Sequence, residues 1–324
     1  MRAPEFWDRG GLVPALLAPA AELYRVVGRF RQARTVPWRA PIPVVCVGNL
    51  VAGGAGKTPV ALSVGARLGE RGRTVHFLTR GYGGRRKGPL RVDARRHDAN
   101  SVGDEALLLA AAAPTWVARD RAAGAKAAAA AGGGVIVMDD GFQNPGLAKD
   151  LSLVVVDGAV GFGNERLIPA GPLREPIAAA LARADAIVVL GADRAGIGAR
   201  FSDRLPVLFA RLVPGPGAES VRGRAVVAFA GIGRPEKFFA TLESLHCEVL
   251  ARHPFADHHR YRDHEVMVLA DKAVKLGAIL VTTAKDAVRI PEPARPLASV
   301  LDVTVAWDAP GPIDDLLARL DADG

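Results

Sequence analysis

The sequence predicts an α/β fold of the P-loop NTPase type, a mostly parallel sheet covered by helices, with a second, smaller α/β domain behind it. Three observations carry this prediction. Short β-rich runs alternate with helical stretches from Ile42 to Leu190. A glycine-rich segment, Gly48 to Gly56, joins the first of those runs to a helix opening with Lys57 and Thr58. A proline- and glycine-rich break, VPGPGAESVRG at Val213 to Gly223, is followed by the same alternation begun afresh.

The elements follow in order. Ile42 to Val47 is apolar except for the turn-forming Pro43 and reads as a buried strand. Further strands are expected at Thr74 to Leu78, Thr115 to Val117, Val135 to Met138, Leu151 to Val156 and Ala186 to Leu190. Helices are expected at Lys57 to Arg71, Asp104 to Ala113, Asp120 to Ala131 and Pro176 to Ala184. Beyond the break, strands at Ala225 to Ala230, Glu248 to Leu250 and Ile279 to Val281 alternate with helices at Pro235 to Leu245 and His264 to Leu276. The expected boundaries are an N-terminal membrane-interface region at 1–40, a nucleotide-binding core at 41–217 and a C-terminal α/β domain at 218–324.

Composition bounds the function. Apolar residues make up 49% and charged residues 23%, a globular balance. Cys46 and Cys247 form neither a disulfide framework nor a zinc spacing, which fits a reducing cytoplasm. The net charge of +8 points to an anionic partner: nucleic acid, phospholipid headgroups or a phosphorylated substrate. Aromatic residues are only 6% and form no evident stacking platform, so a nucleic-acid partner is not expected. A guanine-reading NKxD and a Cys/His cluster are both missing, which argues against a nucleotide switch or a metal chaperone. No obligate protein partner is inferred.

The N-terminus has three readings. The uncharged run Gly11 to Ala21, bounded by Asp8-Arg9 and Glu22, is shorter than the roughly 20 apolar residues a bilayer span needs. Ala18-Pro19-Ala20 resembles a signal cleavage site, but Glu5 and Asp8 spoil the positive leading region. Trp7, a helix over Leu12 to Val27, then Arg25, Arg29, Arg31, Arg34 and Trp38 suit an interfacial anchor facing anionic lipid. A helix packed on the domain surface is the plainer alternative.

Three motifs carry chemistry. In VCVGNLVAGGAGKTP, the loop Val51, Ala52, Gly53, Gly54, Ala55 and Gly56 offers backbone N–H groups to a polyphosphate. Lys57 neutralises charge there and the Thr58 hydroxyl reaches Mg²⁺. Val51 stands where strict spacing has glycine; a glycine-rich turn that binds nothing is the bland alternative. VIVMDDGFQ ends an apolar strand in Asp139 and Asp140, and one of these carboxylates is expected at the metal. SVGDEALLL at Ser101 to Leu109 reads either as a helix start with acids in its first turn or as a carboxylate facing the γ-phosphate.

GNLVAGGAGKTP, TRGYGG, VGDE, DDGFQ, VVVDGAVGFGNERLIPAGPLREP, AFAGIGRPEKFF, FADHH and LVTTAKDAVRI together resemble the tetraacyldisaccharide 4'-kinase family, in consistent order over nearly the whole chain. The resemblance implies transfer of the ATP γ-phosphate to the 4'-hydroxyl of an acylated glucosamine disaccharide 1-phosphate lipid, giving lipid IVA. It also implies work at the cytoplasmic face of the Gram-negative inner membrane, by a protein peripheral or N-terminally anchored, with a membrane surface of anionic lipid as partner. By position it implies Asp104 as catalytic carboxylate paired with His258, although His259 is adjacent. Lys57 and Thr58 would sit at the phosphates and Mg²⁺, and Glu105, Asp139 and Asp140 are further metal candidates. Arg174 would stabilise the transferred phosphoryl group, and Glu175, Arg80 and Tyr82 would shape the pocket. Asn144 stands where the family usually carries His.

Overall fold

The computed structural model describes residues 4–7 and 10–322, so Asp8 and Arg9 lie outside the described residues. Its strands are β1 (Val44–Gly48), β2 (Val75–Thr79), β3 (Leu90–Arg91), β4 (Thr115–Val117), β5 (Val135–Asp139), β6 (Leu151–Asp157), β7 (Ala186–Leu190), β8 (Val207–Pro214), β9 (Ala225–Ala230), β10 (Glu248–Pro254), β11 (Ile279–Thr283), β12 (Ser299–Leu301) and β13 (Val303–Trp307). Nine form one sheet in the order β13-β8-β7-β6-β1-β5-β2-β4-β3, and four form a second in the order β10-β9-β11-β12. From β8 to β4 every pairing in the large sheet is parallel; the edge strands β13 and β3 run antiparallel to their neighbours. The small sheet is parallel throughout.

Parallel strands covered on both faces are apolar on both sides of the pleat, and β1 shows the division. Val45 and Val47 point into a core shared with Val60, Val64 and Leu68 of the helix Lys57–Glu70. Val44 and Cys46 point into the opposite core, with Ala125 and Ala128 of the helix Arg121–Ala130 and Leu181 of the helix Ile177–Leu181. At roughly 2 kcal/mol for each large apolar side chain buried, these two cores dominate the stability of the lobe.

The expected C-terminal boundary needs correcting. After β12 the chain leaves the small sheet: β13 pairs with β8, and Ile313, Leu316, Leu317 and Leu320 of the helix Pro310–Ala322 enter the first core. Arg67 grips Asp314 at 2.8 and 2.9 Å, and Trp307 Nε1 donates to Ser63 Oγ at 2.9 Å. The second domain is therefore an excursion ending near Leu301. The physical reason is the apolar face of the last helix, which covers the large sheet. Strand β8 overlaps the segment read as a connection, because its half-buried alternation is weaker than that of the central strands.

The N-terminal stretch forms helices Leu12–Leu16 and Ala18–Arg34, extending past the expected Val27 and divided at Leu17, with Pro19 in the first turn of the second. Of that second helix only Ala21 is buried. Leu12, Leu16 and Val36 are 83%, 79% and 90% exposed, and Leu23, Val26, Val27 and Phe30 are also exposed. Among the described residues no helix is long and apolar enough to cross a membrane.

Candidate active site

In a parallel sheet, loops at the carboxyl ends of the strands converge on one crevice. Here β1 delivers the glycine-rich loop, β5 delivers Asp139 and Asp140, and the connection after β6 delivers Arg174. Gly56 has φ +80°, and a side chain there would overlap Leu190, so the turn into the Lys57–Glu70 helix requires glycine. Lys57 Nζ donates to Asn49 Oδ1 at 3.1 Å and lies 3.5 Å from Asp140 Oδ1. Thr58 Oγ1 donates to Asp139 Oδ2 at 2.9 Å, and Arg174 Nη1 donates to Asp140 Oδ1 at 2.8 Å.

The loop is held open from behind. Asn49, fully buried, donates through Nδ2 to Val51 O at 2.8 Å. Val51 bridges to Leu173, Ala52 N donates to Pro172 O at 2.7 Å, and Arg174 N donates to Leu50 O at 2.8 Å. The PAGPLR segment thus straps the loop and aims Arg174. It also occupies the Ala52 amide, which was expected to meet phosphate. Among the described residues the N–H groups of Gly53, Gly54 and Ala55 have no partner, which leaves them to face an anion. Sequence reasoning missed Asn49; its one signal was a polar residue directly after an apolar strand.

Asp139 and Asp140 have different surroundings. Asp139 Oδ1 is buried without a hydrogen-bond partner, and burial pushes the carboxyl up to about 7, with Asp140 and Glu105 adding to the rise against Lys57 and Thr58. Burial would raise Asp140 too, but Lys57 and Arg174 hold it below the ordinary carboxylate range. Asp140 also adopts φ +53°, the left-handed region, which turns it away from the strand direction. The set fits a magnesium ion: the Thr58 hydroxyl and Asp139 are hard oxygen donors, and the orphaned Asp139 oxygen is a buried acceptor. Asp140 already serves two side-chain cations.

A second cluster spans the two sheets. Gly103 has φ +89°, and a side chain there would overlap the Tyr82 carbonyl of the TRGYGG turn, so the two motifs lock together and start the helix Asp104–Ala110 at the crevice. His258 Nδ1 meets Asp104 Oδ2 at 2.9 Å, and Asp104 is 4% exposed. His258 holds φ +59°, and such strain in a non-glycine residue costs about 1–3 kcal/mol. His259 turns instead to Glu265 at 3.3 Å and lies against Phe255. The ring of Tyr82 lies 5.9 Å from that of His258. Arg80 is exposed, and Asn144 shapes a turn by accepting from Gly146 N at 3.0 Å.

Two residues unassigned in the sequence complete this cluster, both from LVTTAKDAVRI. Lys285 Nζ lies 2.9 Å from Glu105 Oε1 and 3.8 Å from Asp104 Oδ2, and buried Arg289 Nε lies 3.6 Å from Asp104 Oδ2. Burial would raise Asp104, but the hydrogen bond to His258 and the charge of Lys285 hold it well below its ordinary value. Burial raises Glu105 despite Lys285. Asp104, Glu105 and His258 could by their spacing hold an ion; Lys285 lies on Glu105 Oε1, and Glu105 Oε2 is buried without a hydrogen-bond partner, as Asp139 Oδ1 is. A third contact between the sheets joins Asp157, at the end of β6, to Arg234 at 2.9 Å and Lys237 at 3.1 Å.

A family model described as tetraacyldisaccharide-1-P 4'-kinase matches residues 13–321. The chain is 58% identical to the tetraacyldisaccharide 4'-kinase of Rhodospirillum centenum over 99% of its own length and 97% of that protein's. It is 56% identical to the namesake from Rhodospirillum rubrum, over 99% of this chain and 98% of that one. A solved structure of LpxK from Aquifex aeolicus in complex with ATP superposes with a TM-score of 0.78 at 26% identity, covering 95% of this chain and 99% of that chain. Agreement of this extent, in sequence and in architecture alike, makes the chain a member of the tetraacyldisaccharide-1-P 4'-kinase family.

Proposed function

We propose that this protein transfers the γ-phosphate of ATP to the 4'-hydroxyl of a tetraacylated glucosamine disaccharide 1-phosphate, forming lipid IVA. The observation that carries the reading is the pairing of two clusters in one crevice. Lys57, Thr58, Asp139 and Arg174 suit a polyphosphate, while Asp104 and His258 suit an alcohol. Thr58 and Asp139 would hold Mg²⁺, which when bound neutralises charge on the β- and γ-phosphate oxygens.

The chain's own residues supply the rest. The amides of Gly53 to Ala55 and the ammonium of Lys57 bind and orient the phosphates. Arg174, fixed by Asp140 and by the strap behind the loop, stabilises charge spreading over the transferred phosphoryl group. Asp104 accepts the proton of the 4'-hydroxyl, and His258, bonded to it through Nδ1, orients the carboxylate and shares the charge. Lys285 and Arg289 keep Asp104 ionised before the alcohol arrives.

The acceptor carries four acyl chains and stays in a bilayer, so the enzyme meets it at an interface. The exposed apolar residues of the N-terminal helices, with Arg29 and Arg31 on the same element, support docking to anionic lipid at the cytoplasmic face of the inner membrane. Arg25 contributes less charge because it pairs with Glu22. Incubation with γ-labelled ATP, Mg²⁺ and the purified disaccharide lipid tests the whole reading. Label is expected in the lipid at the 4'-position; label released only as free phosphate rejects it.

A further inference from the structure

One polar chain runs from the N-terminal helix to the phosphate site. At its centre is Glu175, 6% exposed, a carboxylate that must be satisfied by donors to remain buried and ionised. Three elements supply them: Gln32 Nε2 of the helix Ala18–Arg34 at 3.4 Å, Arg183 after the helix Ile177–Leu181, and Gln143 Nε2 at 3.1 Å. Gln143 Nε2 also donates to Asn49 O at 2.8 Å.

Both partners of that amide nitrogen are pure acceptors, so the NH₂ end of Gln143 has to face them and its oxygen has to face the other way. There Gln143 Oε1 accepts from Arg174 Nη1 at 3.4 Å, the same nitrogen that reaches Asp140 at 2.8 Å. Glu175 and the Asn49 carbonyl together fix which end of Gln143 is offered to Arg174. The N-terminal region also grips the strap that carries Arg174: Trp7 Nε1 donates to Pro169 O at 3.1 Å, and Asn164 Nδ2 donates to Phe6 O at 2.9 Å.

We propose that Glu175 is a positioning residue for Arg174, acting through Gln143, and that the helix Ala18–Arg34 sets this arrangement through Gln32. The proposal rests on Arg174 stabilising the transferred phosphoryl group.

The test is a pair of double-mutant cycles in the full chain, with kcat measured at saturating substrates and nucleotide affinity measured by a fluorescent ATP analogue. Arg174→Ala is expected to lower kcat by about 10²–10³-fold. Glu175→Gln is expected to lower it about tenfold and Gln32→Ala about threefold, with nucleotide affinity changed less than about twofold. In the Arg174→Ala background both further losses are expected to vanish, since there is no arginine left to misplace. Losses that multiply in that background, or that follow nucleotide affinity, overturn the relay and leave Arg174 standing. Normal turnover of Arg174→Ala alone overturns the reading of Arg174 and the relay with it. Gln32 is only half-buried, so its cycle decides the matter should Glu175→Gln fail to fold.

Discussion

The cluster we assign to the phosphates, here the phosphate side, and the cluster we assign to the alcohol, here the acceptor side, are built on opposite plans. Asp139 and Asp140 close β5, Lys57 and Thr58 open the helix that follows β1, and Arg174 lies on the strap that follows β6, so all five hang on three neighbouring strands of one sheet. The acceptor side has Asp104 from the large sheet's lobe, but His258, Lys285 and Arg289 come from the small sheet's lobe. The first cluster therefore lies within one lobe, whereas the second exists only while the two lobes meet. Cations cross that boundary at three points, on Asp104, Glu105 and Asp157, and each leaves fewer charges unpaired when the lobes are together.

The largest expected effect breaks the phosphate side. Lys57→Ala should lose nucleotide affinity and turnover together, by about 10³-fold in kcat/KM, because a half-buried cation leaves Asp140 and the phosphates at once. Asp104→Ala should cost at least about a hundredfold in kcat while nucleotide affinity survives, the mark of a damaged acceptor side. Near-normal turnover in that variant makes Asp104 a helix-start residue only. Lys285→Met sharpens the contrast, since the residue lies outside the phosphate cluster. We expect about a tenfold loss of kcat with ATP binding intact; an equal loss of ATP affinity would merge the two sides.

Smaller effects test the periphery and the proposed metal ligand Asp139. Replacing Arg25, Arg29 and Arg31 with alanine should weaken flotation with anionic vesicles by about tenfold in low salt, and the difference should fade as salt is raised. Flotation unchanged at low salt removes the lipid contact from that helix. Asp139→Asn should alter the dependence of stability on pH. The folded value of Asp139, about 7, lies above its ordinary 3.8, so the folded protein holds the extra proton between them. Its contribution is present below about pH 4 and is lost as pH rises through about 7. Thermal melts of metal-free protein should therefore show the wild type falling relative to the variant across that window, and parallel curves would place the proton elsewhere.

Much of this was legible before folding. The glycine-rich loop, the DD pair and the central strands are local patterns whose period and composition dictate their conformation, and each appears within a residue or two of its expected place. Strands β8 and β13 were not legible, because a half-buried edge depends on what covers it. Asn49, Lys285 and Arg289 were overlooked for a related reason: nothing next to them in the chain announces a partner far away. The choice of His258 over His259 could be argued from position, but the partners of the two rings follow from the left-handed turn at His258.

The amino-acid order by itself determined that a strand, a glycine-rich turn and a helix opening with Lys57 and Thr58 would follow one another, since each is a local pattern; the strap from Pro172 to Arg174 that holds the turn came from the tertiary structure. Tertiary structure alone decided that Lys285 and Arg289 would surround Asp104, and that the last helix would return to cover the first sheet. Such contacts join residues well over a hundred positions apart, and their energy arises only when solvent is excluded between surfaces that the linear chain keeps separate.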